Sequence, residues 1–156
     1  MVINSVQQFP TPHITIADFS TAELAANSVS GTGFNQGGGG LGGNVDAPTN
    51  GAFAGMSLTT QHPTFSFTQP IHAAGFSTMD IDFGNDNIVN VTVDGLDATN
   101  AVVVSHHRGI APANTAAEED GGALFIGWKT AASVVTVKVT IDQANSTLLD
   151  NLVFTH

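Results

Sequence analysis

The sequence predicts an all-β protein: an antiparallel two-sheet sandwich of the jelly-roll kind, with about nine strands and at most one short helix near residues 21–27. Three observations predict it. Apolar and polar residues alternate along most of the regular stretches, which is the period of two that a half-buried strand requires. Polar turns interrupt that pattern at short intervals. No long segment with a 3.6-residue period separates the strands, which argues against the βαβ units of a parallel sheet.

The strands follow in order. His13–Phe19 sets Ile14 and Ile16 on one face. Gly51–Thr59 is next, then Thr64–Thr68, where Phe65 and Phe67 point one way and Thr64, Ser66 and Thr68 the other. Ala73–Phe83 is expected to turn Met79, Ile81 and Phe83 inward and Thr78, Asp80 and Asp82 outward. Ile88–Val93 stacks Val89, Val91 and Val93 opposite Asn90 and Thr92. Ala101–Ser105 and Ala123–Trp128 lead to Val134–Ile141, where Val135, Val137, Val139 and Ile141 alternate with Thr136, Lys138 and Thr140. Asn151–Thr155 closes the set, with Leu152 and Phe154 inward. Clean alternation of this kind implies antiparallel sheets, each with one wet face. The helix candidate is Ser20-Thr21-Ala22-Glu23 followed by Leu24-Ala25-Ala26, a capping-box spacing good for one or two turns.

Residues 1–156 read as one domain, with a 1–12 N-terminal arm, a 31–50 Gly-rich loop and a 108–122 acidic loop. The Gly run has no Lys-Ser/Thr and no helix after it, so it is no phosphate cradle. Hydrophobic residues make up 42% of the chain, enough for a packed core. Charged residues make up only 10%, against about a quarter in typical domains. Neutral polar side chains must therefore cover the surface, a habit of exported β proteins.

The charge balance excludes partners. Arg108, Lys129 and Lys138 face thirteen acids, for a formal charge of −10. No basic face exists to neutralise phosphates, so nucleic acid is not expected as a partner, nor is an anionic membrane surface. No stretch has the 18 or so apolar residues of a membrane span, so membrane insertion is not expected. Residues 1–15 show no basic region followed by an apolar one, so an export signal is read as removed or never present. With no Cys, disulfides are excluded.

Four short motifs stand in order across residues 64–155. They are Gln69-Pro70-Ile71-His72-Ala73-Ala74-Gly75-Phe76, Val91-Thr92-Val93-Asp94-Gly95, Ala123-Leu124-Phe125-Ile126-Gly127 and Leu149-Asp150-Asn151-Leu152-Val153-Phe154. This series resembles the jelly-roll β-sandwich domain of bacterial exported PEP-CTERM-type (choice-of-anchor) proteins, which is similar in fold to carbohydrate-binding modules. The resemblance implies an extracellular or surface role, often in contact with matrix or polysaccharide. The chain departs from the family in lacking an export signal and a C-terminal anchor. The family brings no common catalytic residues.

Candidate chemistry is sparse. Asp80, Asp82 and Asp86, spread over a strand and the turn after it, form an oxygen-rich stretch of the type Ca²⁺ prefers. Asp150, at the head of the last strand, together with Asp18 and Glu23 near the first, is a second candidate Ca²⁺ set, since few Lys or Arg exist to pair a buried acid. A structural Ca²⁺ is the one cofactor this suggests. His106-His107-Arg108 offers two imidazoles that face opposite ways on a strand, which is poor for one metal. No Cys or Gly-x-Ser-x-Gly signature marks a nucleophile. Trp128 and Phe125 also face opposite ways, and an exposed Trp128 would offer a stacking platform. Trp128, Asn90 and Thr92 are the candidate glycan contacts.

The expectation is a non-enzymatic extracellular module that binds or organises surface polysaccharide or glycan. The alternative partner is a copy of itself, in a surface layer, filament or virus-like particle: the near-absence of Lys leaves sheet edges unguarded, and residues 1–12 could dock on a neighbour as an added strand. A polysaccharide hydrolase is the third reading, which requires a close pair of carboxylates.

Overall fold

A computed structural model describes residues 1–17, 19–35, 56–58, 62–80, 88–110, 123–142 and 147–156. The strands are β1 (Val2–Ile3), β2 (Ile14–Ile16), β3 (Val29–Thr32), β4 (Phe34–Asn35), β5 (Met56–Leu58), β6 (Thr64–Asp80), β7 (Val89–Leu96), β8 (Val102–Ile110), β9 (Ala123–Ile141) and β10 (Thr147–Thr155). One short helix, α1 (Thr21–Ala26), lies between β2 and β3. The strands run in the order β4-β5-β10-β6-β9-β7-β8, with β1 on β9, β2 on β10 and β3 on β6. Every pairing is antiparallel. The all-β fold expected from alternation is thus present, and the sheet wraps around a core fed by β2, β3, β6, β7, β9 and β10.

The two long strands make the bend. Alternation splits Thr64–Thr68 from Ala73–Phe83, and Ala123–Trp128 from Val134–Ile141; the chain joins each pair into one strand. Pro70 has no N–H to give a ladder and is tolerated in a sheet only where pairing breaks. Pairing between β6 and β9 shifts there, between Ser66 and Ile71 and again between Ile71 and Ala73. On β9 the step from Lys129 to Val134 leaves residues 130–133 outside the ladder. His72 Nδ1 holds that bulge through the Ala132 carbonyl at 3.0 Å.

α1 forms as its capping box predicts. Ser20 Oγ accepts from Glu23 N at 3.0 Å. The Glu23 carboxylate reaches back to Ala17 N and Phe19 N, each at 2.9 Å. Phe19 sits at φ 54°, so this entry is tightly turned and its donors need those acceptors.

Alternation places the main core correctly. Phe65, Val89, Val91, Val93, Val137, Val139, Leu152 and Phe154 are buried, as expected. It fails where both faces are covered. A second cluster of Ile3, Phe9, Ala73, Phe125 and Val153 packs on the other side of β6, β9 and β10. Thr78, expected outward, is buried, as is its neighbour Ser77. The N-terminal arm, expected as a strand that could dock on a neighbour, supplies this cover: Val2 and Ile3 pair with Trp128 and Gly127 of the same chain, and Phe9 meets Phe125 edge-on at 6.0 Å. Two loop bounds also move. Residues 31–35 contribute to β3 and β4, and residues 108–110 belong to β8; residues 36–55 and 111–122 lie outside the described residues.

The motif glycines record where aromatic rings lie on backbone. A Cβ on Gly75 would stand 2.4 Å from Phe125 Cζ, and one on Gly127 would stand 3.0 Å from Phe125 Cε1. A Cβ on Gly95 would stand 2.7 Å from Trp128 Cζ2. The Asp150-Asn151 step is a β-bulge: pairing with β6 shifts between Asp150 and Val153, and Asn151 takes φ 47°, a left-handed value Asn tolerates.

Candidate functional site

A pocket of about 500 Å³ opens where β2, β6, β9 and β10 come together. The loop Pro10–His13 and the start of β2 form one wall; Phe154, Thr155 and His156 form another; His72 and Lys129 complete it. The row that positions these groups follows from register. Phe154 pairs with Ile14 on one side and Ala74 on the other. One step along, Thr155 pairs with Ala73, and Ala73 with Lys129. The walls are mostly carbon, with Phe154 buried at the base.

The polar content of this pocket is unusual. Among the described residues that line it are three of the chain's six His residues and one of its three Lys and Arg residues, and no Asp or Glu. Each imidazole is held through Nδ1 by a backbone carbonyl. His13 contacts Pro10 O at 3.1 Å, His72 contacts Ala132 O at 3.0 Å, and His156 contacts Pro70 O at 3.3 Å. A carbonyl can only accept, so each Nδ1 is the donor in its contact and Nε2 is the ring nitrogen left for a further partner. Edge-on aromatic contacts fix two of the rings further: His13 on Phe9 and His156 on Phe154, each at 5.6 Å between centroids.

The described residues among those singled out by sequence lie elsewhere. Trp128 is 0% exposed and packs in the main core against Gly95. This corrects the expectation of a stacking platform: with Phe125 covered by the N-terminal segment, both aromatics of the strand are interior. Its Nε1 is the one buried side-chain nitrogen or oxygen without a hydrogen-bond partner among the described residues. Asn90 and Thr92 do share the wet face of β7, but both are engaged. Asn90 bonds Asp142 through its backbone N at 2.9 Å and its Nδ2 at 2.7 Å, and Thr92 Oγ1 meets His107 Nδ1 at 3.0 Å.

The acids divide in the same way. Glu23 spends both carboxylate oxygens on the α1 entry. Asp150 is fully buried, and its oxygens accept Asn151 N at 2.8 Å and Asn151 Nδ2 at 2.9 Å. Asp18, Asp82 and Asp86 lie outside the described residues, as does the side chain of Asp80. No group of three His, Asp or Glu able to hold a metal occurs among the described residues.

No family model matches the chain, and no curated protein matches it. Among solved structures it is similar to a family 6 carbohydrate-binding module, at 8% identity and a TM-score of 0.38, over 100% of this chain and 93% of that one. It is also similar to the CBM22-1–GH10 modules of an endo-1,4-β-D-xylanase of Clostridium thermocellum complexed with xylohexaose, at 14% identity and TM-score 0.38. A third similarity is to the enzymatically active domain of tailspike protein 4 of bacteriophage CBA120, at 14% identity and TM-score 0.34. The chain covers 25% and 20% of those last two structures. No helix among the described residues is long and apolar enough to cross a membrane.

The His106-His107-Arg108 run divides as strand geometry requires. His107 is exposed, while His106 and Arg108 turn toward β9. His106 Nδ1 donates to Gly127 O, and Arg108 Nη1 to Phe125 O, each at 2.7 Å. Two side chains thus satisfy carbonyls near the point where the two-residue β1 ends. Burial holds the His106 imidazole below its ordinary pKa, the Gly127 carbonyl opposes that, and the neighbouring charges of Arg108 and His107 add to the lowering. It is a structural residue, neutral at physiological pH.

Proposed function

We propose that this chain is a non-catalytic, extracellular carbohydrate-binding β-sandwich that holds one or two sugar rings in the pocket formed by His13, His72, His156, Lys129 and Phe154. The observation that carries the reading is that a backbone carbonyl engages Nδ1 of each of the three imidazoles. A saccharide is dense in hydroxyl groups, which donate and accept, and the Nε2 atoms of the three lining rings offer partners for them. Phe154 and the prolines supply an apolar wall for the C–H faces of a sugar ring. The volume of about 500 Å³ falls within the range of small-molecule sites and suits a short ligand rather than a long chain. Catalysis is not part of the proposal: no Asp or Glu is among the described residues that line this pocket, and glycoside hydrolysis ordinarily needs two. A structural Ca²⁺ on Asp80, Asp82 and Asp86 belongs to the proposal on their spacing alone.

The test is a titration with mono- and disaccharides, followed by imidazole ¹⁵N shifts. Binding should move Nε2 of His13, His72 and His156 and leave the rest of the protein unchanged. Shifts confined to the Asn90–Thr92 face, or none at millimolar sugar, would refute the site.

One observation favours a second reading, self-assembly. β8 ends the strand order and pairs only with β7 among the described residues. It carries no Lys, and Val102 is 56% exposed. Such an edge accepts another strand readily. Light scattering after size exclusion decides: a monomer at micromolar concentration ends this reading, and an oligomer broken by Val103→Lys supports it.

A further inference from the structure

We infer that residues 1–9 form a strap that opens as one unit and takes the Pro10–His13 wall of the pocket with it, so that seating of the strap governs binding there; as regulation of that site, this rests on the saccharide reading above. The strap is held at few points. Its ladder is two residues long, Val2 and Ile3 on Trp128 and Gly127, and beside it the Lys129 N–H donates to Met1 O at 2.8 Å. One 3₁₀ turn follows at Val6–Gln8. Its bonds, Gln8 N to Ser5 O and Phe9 N to Val6 O, stay within the strap. Of the strap residues only Ile3 and Phe9 are buried, both in the cluster with Ala73, Phe125 and Val153, with Val6 packed beside them. A segment with so few buried apolar contacts belongs to the low-stability end of a structure and opens before the core does.

The strap meets the pocket at both ends. Met1 bonds the backbone of Lys129, a lining residue, and Phe9 leads straight into the wall that starts at Pro10. That wall hangs between two fixed points. On one side the Phe9 ring lies edge-on against Phe125 at 6.0 Å and against His13 at 5.6 Å between centroids. On the other side Ile14 pairs with Phe154. Release of Phe9 leaves His13 and the two prolines tethered at Ile14 alone. His72 and His156 are held by Ala132 O and Pro70 O, neither of which belongs to the strap, so the same event leaves them in place. A ligand that needs the complete pocket binds only the seated state, and by linkage it holds the strap down.

Hydrogen exchange on the full chain, with urea added in small steps, tests this. In the wild type the Gln8, Phe9 and Lys129 amides should exchange together, through an opening that precedes exchange in the β7–β9 ladder. Ile3→Asp alters a residue outside the pocket and puts a carboxylate where only apolar groups lie, so the three amides should lose protection by about tenfold or more. The His13 ring resonances should move with them, while those of His72 and His156 stay. Ile3→Val should restore the wild-type pattern. Glucose or cellobiose at about ten times its dissociation constant should slow the three amides about tenfold in the wild type. Exchange of these amides only together with the β7–β9 ladder would overturn the inference and leave the saccharide reading standing, as would an unmoved His13 in folded Ile3→Asp. A sugar that shifts His72 and His156 without slowing the strap would do the same. If Ile3→Asp does not fold, the wild-type exchange decides alone. Sugars that do not bind folded protein count against the saccharide reading, and the strap then stands or falls on the exchange measured without them.

Discussion

The Gly75→Ala substitution tests the central claim about packing, because one methyl group is asked to enter a place already occupied. The new Cβ would stand 2.4 Å from Phe125 Cζ, 2.8 Å from Cε1 and 3.1 Å from the Ile126 carbonyl oxygen. Carbon atoms at rest lie about 3.5–4.0 Å apart, so the ring must retreat by about 1 Å. It has little room to do so. Phe125 is 1% exposed and lies beneath Ile3 and Phe9, with the Phe9 ring edge-on at 6.0 Å. Overpacking of this kind costs about 1–3 kcal/mol. Replacing Gly by Ala in a strand returns about 0.5–1 kcal/mol of backbone entropy. The net expectation is a loss of about 1–2 kcal/mol, or a Tm lower by about 2–8 °C for a chain of this length. Urea unfolding of the single and double variants gives the answer. Phe125→Leu removes the ring tip, so Gly75→Ala in that background should be neutral or stabilising, with a coupling of about 1 kcal/mol or more. Equal cost in both backgrounds would show that Phe125 does not lie on Gly75, and the reading of the motif glycines as aromatic seats would fail.

Acidification should weaken the fold through His106, whose folded-state pKa is lowered chiefly by burial. In the unfolded chain the imidazole titrates near about 6.5, so its stability contribution is complete above that pH and is lost as the unfolded state gains a proton the folded state resists; His106→Gln should flatten the urea stability profile between about pH 7 and pH 5. Asp97, whose carboxyl is held below the usual range by the Thr99 hydroxyl and then by the Ala101 and Thr99 amides, organises the β7–β8 turn, and Asp97→Ala should speed hydrogen exchange at those two amides while leaving the far end of β7 protected. Calcium at a hundred times its dissociation constant should add about 2.7 kcal/mol if the Asp80–Asp86 stretch binds it, and an identical Tm in Ca²⁺ and EDTA would end that proposal.

Much of the fold was legible in the sequence because burial on one face writes itself as alternation. Val89, Val91 and Val93 against Asn90 and Thr92 is a pattern with one solution. The exceptions share a cause. Ser77 and Thr78 are both buried, because β6 there is flanked by β9 and β10 and covered on both faces; a strand buried on both sides has no period to read. The joins at Pro70 and at residues 130–133 were hidden for a related reason. Proline marks a break in pairing, and sequence does not say whether the strand ends or merely bends there. The N-terminal residues were misread because their partner is distant: Val2 and Ile3 lie more than a hundred positions from Trp128 and Gly127, and no local pattern announces a contact of that span.

The candidate site was less legible, and the imidazoles show why. His13, His72 and His156 stand as isolated residues in the sequence, each an ordinary turn or surface histidine. What gives them a common property is the carbonyl each one meets: Pro10 O, Ala132 O and Pro70 O. Backbone carbonyls leave no mark in a sequence, since every residue has one. Two of the three are proline carbonyls, and Pro10 and Pro70 could have served as a signal: proline stiffens the chain and pins the direction of the oxygen that follows. The third sits in the β9 bulge that the bend at Pro70 creates on the neighbouring strand. The feature that breaks the ladder between β6 and β9 therefore also orients two of the imidazoles in the pocket, one through its own carbonyl and one through Ala132. A change at Pro70 should accordingly disturb His72 and His156 together and leave His13, held by its own loop, in place.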